Sequence, residues 1–314
     1  MNFLVILALL PLLGCKKNLD IQLSTVKPGQ SLSPSQTIPT NTQSTETTKY
    51  PELKLFDEWA DDKNIEPIAY NGFEVVRKTK KIKVPESSNL AELSYAQILR
   101  NGKAVMTIDG GADRDGNETL FGLFPFLSPN SKQLFVQQNI YRGKHQWIVS
   151  LDSQQPRVLM DLSSYNLDSF GAIDIDRNGQ YELVGYQKYW YFQYLKEYSF
   201  SSADSPVIPI VFAYNPKAQK YEPANLRFRP YLLEQVEEMR SRAERTDSLM
   251  SRMSAVMEGT MTLALIGEEK AAWEFFDQYC RVEKDGEKED AQRRIEAAIQ
   301  KHPLYRAIKQ SSDR

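Results

Sequence analysis

The sequence predicts an α+β protein: a β-rich domain at residues 50–229 followed by an α-helical region at residues 230–314. Three observations carry this. Between Tyr50 and Arg229, short apolar runs alternate with turn clusters, the pattern of antiparallel strands. Beyond Pro230, apolar residues recur at three- and four-residue spacing, the pattern of amphipathic helices. Ahead of both, residues 1–49 show neither pattern.

At the amino terminus, Phe3 to Leu13 are all apolar or proline. A bilayer-spanning helix needs about 20 such residues. The run instead fits the apolar core of a signal peptide. It ends in Leu12-Leu13-Gly14-Cys15, and Lys16-Lys17-Asn18 follow at once. This resembles the lipobox of bacterial lipoproteins. The resemblance implies a signal peptide at residues 1–14, cleavage before Cys15, and lipidation of Cys15 with palmitate-type acyl chains. It departs at Leu13, where the family usually has Ala or Ser, and no Lys or Arg precedes the apolar run. Lys16, where Asp would favour retention at the inner membrane, implies the cell outer membrane. Two or more buried chains give stable anchoring, at about 0.8 kcal/mol per CH₂.

Residues 15–49 then read as a disordered linker. From Pro28 to Thr48, 18 of 21 residues are Ser, Thr, Gln, Asn, Pro or Gly. Such a composition cannot offset the entropy of ordering. As a flexible coil the tether spans roughly 30–35 Å.

Within the β-rich domain, strands are expected at Ala104–Ile108, Leu134–Val136, Trp147–Val149, Val158–Met160 and Pro206–Phe212. Ser128-Pro-Asn-Ser131 and Asn215-Pro216 supply turns. One helix is expected inside the region, over Asn89–Arg100, with Leu90, Leu93 and Ala96 or Ile98 on one face.

The most specific motif is Asp174-Ile-Asp176-Arg-Asn178-Gly179-Gln180-Tyr-Glu182. Alternate positions carry oxygen side chains, Gly179 permits a sharp turn, and an acid follows. Such spacing gathers oxygens for a hard cation such as Ca²⁺, which takes six to eight ligands. It is not an EF-hand, because the twelfth position is Gly185. An Asn-Gly hairpin turn with local Asp and Asn bonds explains the same residues without metal, and both readings stand. With Phe170-Gly171-Ala172 before it and Leu183-Val-Gly185 after it, the segment resembles the FG-GAP/VCBS repeats of β-propellers. That resemblance implies Asp174, Asp176, Asn178 and Glu182 as Ca²⁺ ligands, with the Gln180 carbonyl contributing. A weaker copy lies 63 residues upstream at Arg114–Gly122, where Asp113 and Asp115 remain, Gly111 replaces the first acid and Thr119 replaces the glutamate. The chain is too short for a full seven-bladed propeller. The expectation is a propeller fragment or another antiparallel sheet fold.

The run Tyr186–Tyr198 is rich in aromatics. It reads either as a strand buried on both faces or as exposed rings that stack on a sugar or grip a protein. In the helical region, Leu232, Val236, Met239 and Ala243 share a face, as do Met250, Met253, Met257 and Met261. The methionines read as core or as an adaptable partner face. Further helices are expected at Ala271–Cys280 and Asp290–Gln300, with His302-Pro303-Leu-Tyr305 ending the last. Cys280 reads as a buried helical thiol or a reactive one.

Composition excludes several functions. With 39 Lys or Arg and 41 Asp or Glu, the net charge of −2 gives no nucleic-acid footprint. Two histidines far apart, with no HExxH pattern, argue against zinc. No GxSxG motif appears. The expectation is a lipid-anchored, non-enzymatic envelope binding module for a protein or glycan, stabilised by Ca²⁺. The alternatives are a structural or assembly lipoprotein, whose helices dock into a complex, and an envelope hydrolase. The expected contacts are the membrane through the lipid and an envelope protein or glycan, not nucleic acid.

Overall fold

The computed structural model describes residues 49–56, 67–83, 90–111, 117–140, 143–165, 167, 169–189, 192–196, 198–282, 284 and 286–312. Cys15, the tether up to residue 48, and Asp113 and Asp115 of the weaker copy lie outside the described residues. Residues 47–314 form one compact unit.

Among the described residues, three antiparallel sheets come first and five α-helices last, the α+β order expected. The first sheet runs β2 (Ile68–Tyr70), β3 (Phe73–Lys83), β4 (Leu90–Arg100) and β5 (Lys103–Ile108). The second runs β6 (Glu118–Ser128), β7 (Ser131–Ile140), β8 (Gly143–Ser150) and β9 (Arg157–Asp161). The third runs β10 (Ser169–Ile173), β11 (Glu182–Lys188), β12 (Val207–Asn215) and β13 (Lys220–Pro223), with β1 (Glu52–Leu53) added beside β10. Each is an up-and-down meander in chain order, the connectivity of a propeller blade. Closed propellers have about four to eight blades.

Alternating side chains stack these sheets. Leu134 and Val136 of β7, with Trp147 and Val149 of β8, meet Phe73, Val75, Ala96 and Ile98 of the first sheet. On the opposite face, Phe135 and Ile148 meet Leu183, Ile210 and Phe212 of the third. The middle sheet is thus buried on both sides, so its strands read as continuous apolar runs. The third sheet turns Val184, Val211 and Ala213 the other way, towards the helices.

The helices are α1 (Arg229–Arg245), α2 (Leu249–Ala264), α3 (Glu269–Tyr279), α4 (Glu287–Lys301) and α5 (Pro303–Ser312). Leu232, Val236, Met239, Ala243, Met253, Met257 and Met261 are all buried in one core with the third sheet. The methionine face is therefore core. Ser248 caps α2 by accepting the Ser251 N–H. Among the described residues, no helix is long and apolar enough to cross a membrane.

Three expectations are corrected. Asn89–Arg100 does not form a helix: Leu90–Arg100 is β4, paired along its length with β3. Its Ala, Leu and Glu residues favour helix in isolation, but cross-strand partners decide. The chain does not end its helices at His302-Pro303. Pro303 opens α5, where its fixed φ and missing N–H suit a first turn. The aromatic run is not one strand, because β11 stops at Lys188. Tyr194 and Phe200 beyond it are buried and stacked at 4.6 Å. The downstream Asp-rich segment joins neighbours β10 and β11 of one sheet, and Glu118–Gly122 of the weaker copy lie in β6.

Candidate functional site

Two places concentrate chemistry. The first is the loop 174–181 between β10 and β11. Arg177 and Gly179 adopt positive φ, 56° and 82°, which curls the loop around its own acids. Buried Asp174 closes it: Oδ1 accepts the Asn178 N–H at 2.9 Å and Oδ2 the Gly179 N–H at 3.0 Å. Asn178 Oδ1 accepts the Gln180 N–H at 2.7 Å. Glu182, 1% exposed, accepts the Ile175 N–H at 3.0 Å. Asp176 pairs with Arg227 at 2.7 Å.

Asp174, Asp176 and Glu182 bring one carboxylate oxygen each to within 4.8 Å of one another. Oxygens held 2.3–2.6 Å from a Ca²⁺ ion lie at such separations. Burial pushes the Glu182 carboxyl up to about 7, and the charges of Asp176 and Asp174 add to this against the Ile175 N–H and Arg227. A cation at this point would reverse that penalty, so these three acids fit a hard cation. Asn178 belongs to the same loop, and its side-chain oxygen accepts the Gln180 N–H.

The loop also ties elements together. The Asp174 N–H donates to the Pro51 carbonyl at 2.8 Å, and the Tyr181 N–H to the Phe126 carbonyl at 2.8 Å. The Tyr221 hydroxyl donates to the Tyr181 carbonyl at 3.1 Å, and Arg177 donates to the Lys49 carbonyl at 2.6 Å. Loop, chain entry and second sheet are thereby fixed to one another. The arrangement is a brace more than an open reaction site.

The second place is a cleft of about 520 Å³ between the end of β11 and the α4–α5 junction. Gln187, Tyr189, Phe192, Gln193, Arg294, Lys301 and His302 line it. Tyr189 and Phe192 meet edge to face at 6.1 Å, and burial pushes the Tyr189 hydroxyl up to about 12. His302 Nδ1 accepts the Leu304 N–H at 3.2 Å, so Nε2 holds the proton and donates to Gln187 Oε1 at 2.8 Å. Burial, helped by the Arg306 charge, lowers His302 to about 4. The ring is a neutral, fixed wall of the cleft. Arg294 is held by Asp290 at 2.9 Å. None of the described lining residues carries a carboxylate. The described lining of the cleft thus offers aromatic faces, amides and cations, groups that suit recognition of a polar ligand.

Sequence reasoning did not locate this cleft, because α4 and the aromatic segment meet only in space. It also passed over Glu258. This acid sits in the buried α2, accepts the Val207 N–H at 2.9 Å and the Ser254 hydroxyl at 3.3 Å, and pairs with Arg242. Burial raises its carboxyl above the usual range. A lone acid among Met253, Met257 and Met261 was the available signal. Cys280 follows α3 and lies 3.8 Å from the Met253 sulfur. Burial pushes its thiol up to about 11, so the inert reading holds.

No family profile matches this chain, and neither a curated protein nor a solved structure matches it.

Proposed function

We propose that the chain is a lipid-anchored envelope protein, held at Cys15, that binds a glycan or protein without catalysing a reaction. The observation that carries this is the cleft: paired Tyr189 and Phe192 rings, Gln187 and Gln193 amides, and the Arg294 and Lys301 cations around about 520 Å³. That volume is the size of a small-ligand pocket. Rings stack on sugar faces, and amides bond to hydroxyls. Ca²⁺ on Asp174, Asp176 and Glu182, with Asn178 and the Gln180 carbonyl completing the set, braces the body that presents the cleft. The helices share a core with the third sheet. This favours the binding reading over the assembly alternative, in which they would be released to dock elsewhere.

Calorimetric titration with soluble envelope glycan fragments and peptides tests the cleft. Binding of one class, weakened about tenfold or more by Tyr189→Ala, is the expected result. Binding unchanged in that variant sinks the site, and release of shortened fragments would favour the hydrolase alternative. For the brace, Ca²⁺ at about a hundred times its Kd stabilises by about 2.7 kcal/mol. A melt in Ca²⁺ against chelator therefore shifts by several degrees, and Asp176→Ala abolishes the shift. Mass spectrometry of the mature amino terminus reports on Cys15 separately.

A further inference from the structure

The first sheet is positively charged although the chain is not. Its four strands carry seven Lys or Arg against two Asp or Glu, in a chain of net charge −2. Five of the seven are Arg77, Lys78, Lys80, Lys81 and Lys83 of β3. Among the described residues β2 pairs only with Phe73 to Val75, so besides β4 no described strand lies beside β3 from Val76 onward. Side chains alternate along a strand, so these cations leave from both faces. They extend over about 20 Å.

Lys78, Lys80, Lys81 and Lys83 are exposed. Lys80 pairs with Asp109 at 2.7 Å. Lys78, Lys81 and Lys83 have no carboxylate partner among the described residues. Arg77 Nε and Nη2 are buried and find no acceptor among them. A lysine on a free edge deters a second strand from adding to the sheet. Five cations in seven residues, on both faces, go beyond that need, and two uncovered lysines fewer would serve it.

We propose that this basic edge, Arg77 to Lys83, is a docking surface for an anionic phospholipid bilayer. The choice of occupant rests on the lipid-anchor reading, which keeps the body near headgroups, and on charge complementarity. A cation beside an anionic surface gains about fivefold in binding, and three together about a hundredfold. A basic edge would orient a body that its tether alone leaves free to turn.

The test uses residues 47–314, the compact unit that holds all three cores, so that no lipid anchor contributes. Its partition onto phosphatidylglycerol vesicles is compared with partition onto neutral phosphatidylcholine vesicles by co-sedimentation. Anionic vesicles are expected to win by tenfold or more at low salt, with the preference fading as salt rises. Replacing Lys78, Lys81 and Lys83 together by Gln is expected to cost about a hundredfold. Replacing exposed Lys54, Lys217 and Lys270 by Gln, an equal change of charge elsewhere, is expected to cost less than threefold. All six are exposed, so unchanged melting points confirm that both variants fold. Equal binding to the two vesicle types overturns the proposal, and so does equal loss in the two variants. Tighter binding to a short single-stranded oligonucleotide than to vesicles also overturns it. If the β3 variant self-associates but keeps its vesicle binding, the lysines serve only as edge protection and the docking surface falls. Lipidation at Cys15 is measured independently, so a failed anchor and a failed surface are distinguishable.

Discussion

The two ends of the stack are built differently. The third sheet is buried on both faces, against the middle sheet and against the helices. The first sheet adds one face to a small core, and besides β4 its basic β3 has no described strand beside it from Val76 onward. Buried ionisable chemistry follows the burial. Asp174, Glu182, Glu258 and His302, all below 9% exposure, belong to the helix-backed end. The buried polar groups of the first sheet and its seam with the second, such as Ser94, Thr119 and Gln138, are neutral. Deep burial forces charges into fixed partnerships, whereas a thin layer leaves them facing outward. One end therefore holds the pH response, and the other presents charge to the surroundings.

The largest test of this contrast is core truncation. Phe276 is fully buried among the helices, and Phe276→Ala is expected to cost about 3–5 kcal/mol in denaturant unfolding. A cost near 1 kcal/mol would mean that the helices add little to the third sheet.

The pH response comes next, in two opposed slopes. Without metal, folded Glu182 holds its proton to about 7 while the unfolded chain releases it near 4.5. Its contribution is therefore lost as pH rises through that window, by up to about 3 kcal/mol. Glu182→Gln should flatten that slope in chelator, and Ca²⁺ should flatten it in the parent. His302 acts oppositely. The unfolded chain binds its proton near 6.5 and the folded protein only near 4. Stability is lost as pH falls through that window, by up to about 3 kcal/mol, and His302→Gln should remove the loss. Slopes that survive both changes would place the titrating groups elsewhere.

A smaller effect is expected at Gly259 in α2. A Cβ there would meet the Phe275 ring at 2.4 Å. Alanine's helix preference of about 1 kcal/mol is outweighed by overpacking of about 1–3 kcal/mol. Thermal unfolding of Gly259→Ala should show a net loss of about 1 kcal/mol. A gain would mean that Phe275 moves aside freely. Smallest is Val105→Ala in half-exposed β5, expected to cost less than about 1 kcal/mol in the same measurement. A larger loss would erase the difference between the two ends.

The legibility of the sequence follows the same division. Leu134–Val136, Trp147–Val149 and Pro206–Phe212 were readable as strands because neighbouring layers, sheets or helices, cover them on both faces. The helices were readable from Leu232, Val236, Met239 and Ala243, whose spacing matches the single face that they bury. β4 was misread because Leu90, Leu93 and Ala96 satisfy a helical period by coincidence, and only β3 and β5 settle its backbone. Asp174, Asp176 and Glu182 were found together because their proximity is local. The cleft was not, because Tyr189 and Phe192 are far in sequence from Arg294 and His302.

By itself, then, the sequence determined the order of strands before helices, the buried faces of α1 and α2 and the loop that gathers three carboxylates. These depend on contacts within a few residues or on a period that survives any packing. Only the tertiary structure decided that β4 is a strand, that the three meanders stack with the middle one buried twice, and that the basic end of β3 pairs with β4 and with no other described strand. Each of those depends on which distant segment lies alongside, and the free energy of that choice resides in the pairing, not in either segment alone.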